Sequence, residues 1–143
     1  MTKSRVLFIC GHNSGRSQIA EAYLKEMSGA NFHVESAGLE PAESVDPTVI
    51  KVMREDGLDI SQRKPKSVFE KFKQGDLYDH VITVCGDNEN KCPIFPGITK
   101  SWHMPFPDPA EVKGTPEEKL VRVREIRDLI KNWLIKEMGS FNV

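Results

Sequence analysis

The chain of 143 residues carries 20 Lys and Arg against 21 Asp and Glu, a formal net charge of -1 at pH 7. Hydrophobic residues make up 38% and charged residues 29%, which describes a soluble globular protein long enough to bury a core. This balance says nothing for a nucleic-acid or membrane partner, and any affinity for anions must come from a local site rather than the global field. No apolar stretch has transmembrane length, and Met1-Thr2-Lys3-Ser4-Arg5 leads into a run too short for a signal-peptide core. The expectation is one domain over residues 1–143 in the cytoplasm, with no nucleic-acid or membrane partner and nothing that requires more than a monomer.

Strand-length apolar runs alternate with segments of helical period, the pattern of an α/β fold. The spacing predicts a first strand over Arg5–Cys10 and a helix over Ser17–Met27 with Ile19, Ala20, Tyr23, Leu24 and Met27 on one side. A second strand is expected at Phe32–Ser36, ended by Gly38. Asp46-Pro47 reads as an N-cap and first-turn pair opening a helix through about Glu55, stopped by Gly57. Ser67 and Glu70 have capping-box spacing for a short helix. His80–Val84 is a third strand with Cys85 at its end, and Ile98–Trp102 a fourth. Met104–Pro109, with three prolines in six residues, reads as a loop. Thr115 and Glu118 form a second capping box, starting a helix to about Met138 whose core stripe is Val123, Ile126, Ile130, Trp133 and Leu134. The prediction is therefore a four-stranded parallel sheet with helices on both faces. Right-handed crossovers put the C-terminal ends of all strands on one edge, where such sheets bind ligands.

The most informative segment is Cys10-Gly11-His12-Asn13-Ser14-Gly15-Arg16-Ser17, directly after Val6-Leu7-Phe8-Ile9. A strand delivers the cysteine to the sheet edge, and the turn that follows aims successive backbone N–H groups inward, as loops at helix N-termini do for phosphate. Arg16 can then grip a tetrahedral anion with two parallel hydrogen bonds. The same N–H dipoles and guanidinium favour negative charge on sulfur, which makes Cys10 a candidate nucleophile rather than a small buried hydrophobe. His12 sits inside this loop, its ring directed to solvent or bracing the turn.

Asp108, in Phe106-Pro107-Asp108-Pro109, emerges on the same edge. A carboxylate held between prolines over an anion site suits a general acid that protonates a leaving oxygen, although Asp-Pro is also ordinary turn chemistry. No pair among the three cysteines has zinc-finger spacing, and a reducing compartment disfavours permanent disulfides. Cys85 and Cys92 are either buried thiols or members of a relay in which each thiol attacks the disulfide formed before it. If residues 86–92 are helical when reduced, their ends lie roughly 10 Å apart, whereas a disulfide needs about 4.4–6.8 Å between α-carbons. Oxidation would then unwind the segment. His33, His80 and His103 share no ligand spacing, so no metal is assigned. Trp102 and Phe106 roof the site or pack the core.

Cys10-x5-Arg16-Ser17 near the N-terminus with an Asp-Pro in the last third resembles the low-molecular-weight protein tyrosine phosphatase superfamily over nearly the whole chain. Within it, Thr83-Val84-Cys85-Gly86-Asp87 with Cys92-Pro93, and Ser36-Ala37-Gly38, resemble the thioredoxin-coupled arsenate reductases. That resemblance implies Cys10 attack on arsenic with Asp108 as acid, a Cys10–Cys85 and then a Cys85–Cys92 disulfide, and reduction by thioredoxin, for arsenic detoxification. It also implies that phosphate or sulfate mimic arsenate, that Ser17 donates to Cys10, and that Asn13 props the loop open. No cofactor carries electrons. Gly15 stands where such proteins often have a larger residue, frequently cysteine, which makes the cradle more flexible. Some of these reductases bind potassium through residues matching Asn13, Glu21 and Ser36 here, but the aspartate that completes the set aligns with Gln62–Lys66. The expectation is that the Lys66 ammonium takes the potassium position and pairs with Glu21. Two rival readings stand beside the reductase. A phosphatase would let water attack a Cys10 phosphocysteine, but it usually carries an aromatic residue after Asp-Pro where this chain has Ala110. An oxyanion sensor without turnover would leave Asp108 and the other cysteines idle.

Overall fold

The structure, a computed structural model, describes residues 4–85 and 100–137. Four parallel strands, β1 (Ser4–Cys10), β2 (Phe32–Gly38), β3 (His80–Thr83) and β4 (Lys100–His103), form one sheet in the order β2-β1-β3-β4. The helices are α1 (Arg16–Ser28), α2 (Pro47–Glu55), α3 (Val68–Lys73) and α4 (Pro116–Glu137), with a 3₁₀ turn at Pro109–Glu111. This is the α/β fold read from the sequence. Cys92 and the 86–92 segment lie outside the described residues, as do Ile98, Thr99 and Met138.

Each side of β1 is buried because its apolar run has no polar alternation. Val6, Phe8 and Cys10 join a large core with Ile19 and Tyr23 of α1, Val49 and Met53 of α2, and Ile126 and Ile130 of α4. Leu7 and Ile9 point the other way, to a smaller cluster with Ala37, Val81, Tyr78 and Val68 of α3. The helices thus cover both faces, three on one and the short α3 on the other. The expected caps are formed: the Asp46 carboxylate accepts from the Thr48 N–H at 2.8 Å, and Ser67 Oγ from the Glu70 N–H at 3.3 Å. Thr115 and Glu118 bond reciprocally at 3.2 and 3.3 Å, the full capping box.

Several boundaries differ from the expected ones, each for a tertiary reason. β2 runs on to Gly38 because Ala37 and Gly38 pair with Ile9 and Cys10. β3 stops at Thr83, one residue short. The Met104–Pro109 stretch is irregular as expected, except that Pro109 opens the 3₁₀ turn capped by Asp108. The apolar stripe expected on α1 understates its burial, since Arg16, Ser17, Gln18 and Glu21 are buried as well. A helix whose first two turns are enclosed must satisfy polar groups internally, and these four residues are where that happens.

Candidate active site

The order of strands reverses at β1, whose neighbours lead to opposite edges of the sheet, and Cys10 ends that strand. The loop from Cys10 to Gly15 is held from outside. The N–H groups of Leu39, Glu40, Ala42 and Asp46 donate to the carbonyls of Cys10, Gly11, His12 and Ser14 at 3.1, 2.8, 3.0 and 2.9 Å. Gln18 Nε2 takes the Asn13 carbonyl at 3.1 Å, and the Ile19 N–H takes that of Gly15 at 2.9 Å. With its carbonyls engaged on the outer side, the loop turns its N–H groups to the concave side, because the two point oppositely across each peptide plane. The His12 ring braces this arrangement, its Nδ1 lying 3.0 Å from the Glu40 carbonyl. Of residues 39–46, which run along the loop as a rail, only Asp46 belongs to a motif, as the cap of α2, and nothing in the sequence marked the stretch as a support for the loop.

Asn13 is the only non-glycine residue among those described with positive φ, at 53°. Asparagine tolerates this left-handed turn better than most residues. Its side chain is fully buried and fully used. Nδ2 donates to Ser17 Oγ at 2.6 Å and to Ser36 Oγ at 3.0 Å. Oδ1 accepts from Gln18 Nε2 at 3.1 Å and from the Lys66 backbone N–H at 2.9 Å. Gly38 lets the loop pass: a Cβ there would sit 2.8 Å from the Asn13 nitrogen and 2.9 Å from the His12 carbonyl carbon, too close for any side chain.

Cys10 is buried, with Ser17 Oγ 2.8 Å from its sulfur and the Asn13 N–H donating to it at 3.3 Å. Since Ser17 already accepts from Asn13, its own hydrogen is free to point at the sulfur. Arg16 is 2% exposed. One guanidinium nitrogen donates to the Phe106 carbonyl at 3.3 Å, and another lies 3.5 Å from the Asp108 carboxylate. Asp108 caps the 3₁₀ turn, its Oδ1 accepting from the Ala110 N–H at 2.9 Å. Pro109 packs on the loop at Gly15, where a Cβ would meet the proline Cγ at 3.2 Å. Gly15 therefore serves close approach, a role beyond the flexibility read from the sequence.

Cys85 is buried one residue past Val84, whose N–H donates to the Ile9 carbonyl at 2.8 Å. It belongs to the same core cluster as Cys10, so one thiol ends β1 and the other follows the adjacent parallel strand β3 by two residues. Phe106 is a core residue and Trp102 is partly buried against the core: Phe106 stands edge-on to Trp133 with centroids 6.0 Å apart, and the Trp102 ring lies 6.3 Å from that of His80. No group of three or more His, Cys, Asp or Glu suited to a metal exists among the described residues.

The pairing expected for Lys66 is corrected. Lys66 is exposed and enters the site through its backbone, the N–H to Asn13 and the carbonyl to the Gly38 N–H at 2.8 Å. The side chain that reaches Glu21 from this segment is Arg63, joined by Lys25 at 2.7 Å. Only Lys64 and Pro65 separate Arg63 from Lys66, in an irregular stretch where Arg63 is partly buried and Lys66 exposed. Glu21, 3% exposed, also accepts from Ser36 Oγ at 2.5 Å. Burial alone would raise its carboxyl, but hydrogen bonds from Lys25 and Ser36 and the charge of Arg63 outweigh it and hold it below the usual range. Gln18 and Lys25 were both missed from sequence. Lys25 had a signal, its position four residues after Glu21; Gln18 and Arg63 had none.

Known proteins resemble this chain in sequence and fold. An arsenate reductase of Bacillus licheniformis is 41% identical over 130 residues, covering 91% of each chain. A solved arsenate reductase in a phosphate-binding state superimposes with a TM-score of 0.77 at 31% identity, covering 96% of this chain and 98% of the other. The thioredoxin-dependent arsenate reductase of Corynebacterium glutamicum matches with a TM-score of 0.60 at 36% identity, over 92% of this chain and 63% of its own. The family description "Low molecular weight phosphotyrosine protein phosphatase" fits residues 5–138, a span that holds both the cysteine–arginine loop and the Asp108 turn, and the chain belongs to that family.

Proposed function

We propose that this protein is an arsenate reductase of that family, working by a three-cysteine relay. The observation that carries the reading is the second buried thiol: Cys85 lies two residues past the end of β3, the neighbour of the strand that ends in Cys10, within one core cluster. A hydrolytic enzyme has no use for it. Arsenate has the shape and charge of phosphate, so inward N–H groups and the Arg16 guanidinium suit it. The Cys10 sulfur attacks As(V) and displaces an oxygen that Asp108 protonates as it leaves as water. Cys85 then attacks the Cys10 sulfur. A Cys10–Cys85 disulfide forms, the pair of the breaking S–As bond stays on arsenic, and As(III) departs as arsenite. Cys92, outside the described residues, attacks Cys85 and frees Cys10. A dithiol protein of the thioredoxin class reduces the resulting Cys85–Cys92 bond, as the name of the Corynebacterium relative suggests. Two thiols supply both electrons, so the scheme calls on no cofactor. It suits a monomer in the cytoplasm, where thiols are kept reduced.

The first step is shared with a phosphatase, and the family description keeps that second reading in view. The test is NADPH oxidation by thioredoxin and thioredoxin reductase with and without arsenate. Arsenate-dependent turnover that vanishes in Cys85→Ser and in Cys92→Ser is expected. No such turnover, together with Cys10-dependent release of phosphate from an aryl phosphate, would establish the phosphatase instead.

A further inference from the structure

The oxygens that could hold a monovalent cation beside the loop are already occupied by protein donors. Asn13 Oδ1 accepts two N–H bonds, from Gln18 and Lys66. Both Glu21 oxygens are engaged, one by Ser36 and the other by Lys25 and Arg63. Gln18 Oε1 is the one buried side-chain oxygen or nitrogen without a hydrogen-bond partner among the described residues, but it is the opposite end of the amide that faces Asn13. These residues do not fit a potassium ion. Two cationic side chains stand on a single buried carboxylate instead.

The chain of bonds leading away from that carboxylate has one consistent direction. An ionised carboxylate can only accept, so the Ser36 hydroxyl must donate to Glu21, at 2.5 Å. Ser36 then has only lone pairs to offer, and Asn13 must present its NH₂ end to it, at 3.0 Å. The same NH₂ donates to Ser17, at 2.6 Å, which leaves the Ser17 hydrogen for the Cys10 sulfur 2.8 Å away. Reversing any link would oppose two donors or two lone pairs in a buried site, where an unmade hydrogen bond is most costly.

We infer that Arg63 and Lys25 are positioning residues that replace a bound monovalent cation, holding Glu21 as the fixed acceptor that orients the Ser36–Asn13–Ser17 chain toward Cys10. Glu21 is faced from α1 by Lys25, from β2 by Ser36 and from the segment between α2 and α3 by Arg63, and these are the groups that define its charge environment. Arg63 is the better suited of the two cations, since its planar donor fork loses less freedom per bond than an ammonium on a flexible stem. The inference rests on the reading of Cys10 as the nucleophile.

The test measures Tm and the rate of Cys10 alkylation by iodoacetamide, resolved by site with mass spectrometry, in potassium and in sodium chloride at equal ionic strength. The wild-type protein should show the same Tm and rate in both salts. In a Lys25→Met/Arg63→Met double variant, Cys10 alkylation should slow by roughly fivefold, the equivalent of one lost hydrogen bond, and potassium should restore Tm and rate more than sodium does. Arg63→Lys should keep the wild-type rate while Arg63→Met lowers it, a contrast that a merely space-filling role for Arg63 would not predict. A wild-type protein that gains from potassium, an unaltered double variant, or one that potassium fails to restore would overturn the inference. If the double variant does not fold, the wild-type salt comparison and Arg63→Lys decide it. Wild-type Cys10 alkylated no faster than Cys85 would instead count against Cys10 as nucleophile, while the salt dependence of Tm would still judge the cation replacement.

Discussion

Arg16 Nη2 lies 3.5 Å from Oδ2 of Asp108, so the guanidinium that would grip an anion is already paired with the carboxylate standing over it. Asp108 Oδ1 is committed to the Ala110 N–H, which makes Oδ2 the oxygen able to carry a proton. An oxyanion entering the cradle competes with Oδ2 for Arg16 and places that oxygen beside the bound anion. On the proposed mechanism, Asp108→Asn preserves the turn cap but cannot deliver the proton. Arsenate turnover in the thioredoxin-coupled assay should fall by about 10²-fold or more, while phosphate affinity measured by calorimetry should hold or rise, since a negative charge next to the anion is gone.

Pro109 carries Asp108 down onto the loop because Gly15 leaves it room. In Gly15→Ala the new Cβ would lie 3.2 Å from the proline Cγ, and the turn must yield by a few tenths of an ångström. Since catalysis depends steeply on placement, kcat should drop by roughly three- to tenfold. Phosphate binding to the cradle should be unchanged, which steady-state kinetics together with calorimetry would check.

Gly38→Ala meets backbone rather than a yielding side chain, with contacts of 2.8 and 2.9 Å to Asn13 and His12. Overpacking of this kind costs about 1–3 kcal/mol, and the displaced atoms belong to the loop itself. Thermal unfolding should show the loss of stability, and calorimetry with phosphate should show weakened binding in the same variant.

On the opposite face of the sheet, Glu35 accepts from Lys71 at 2.5 Å and from Arg5 at 2.8 Å. Burial would raise its carboxyl, but these hydrogen bonds and charges prevail and bring it down to about 2. The folded value lies below the unfolded one, so the stabilisation is present above about pH 4.5 and is lost as pH falls toward 2. Glu35→Gln should therefore lower stability near neutrality by roughly 1–2 kcal/mol, allowing for solvent screening. Urea unfolding at pH 7 and at pH 3 should show that difference shrinking at the acid end.

Local chemistry explains which features were readable in advance. Asp46-Pro47, Ser67 with Glu70, and Thr115 with Glu118 place helix starts because each cap satisfies N–H groups within a few residues of itself. Cys10, Arg16 and Ser17 were legible because a strand, a turn and a helix start lie in one short stretch. The continuous apolar run of β1 announced a strand covered on both faces. Cys85 was readable as a thiol close to a strand end, although β3 stops two residues before it.

By itself, then, the sequence determined the alternation of strands and helices, their caps, and the cysteine–arginine loop, all of which arise from interactions a few residues apart. Only the tertiary structure decided that Arg63 rather than Lys66 meets Glu21, that residues 39–46 form the outer rail of the loop, and that Pro109 rests on Gly15. Those contacts join residues 42, about 30 and 94 positions apart. Side-chain direction in an irregular segment leaves no periodic trace in the sequence, so such pairings emerge only when the sheet and its crossovers bring the segments together.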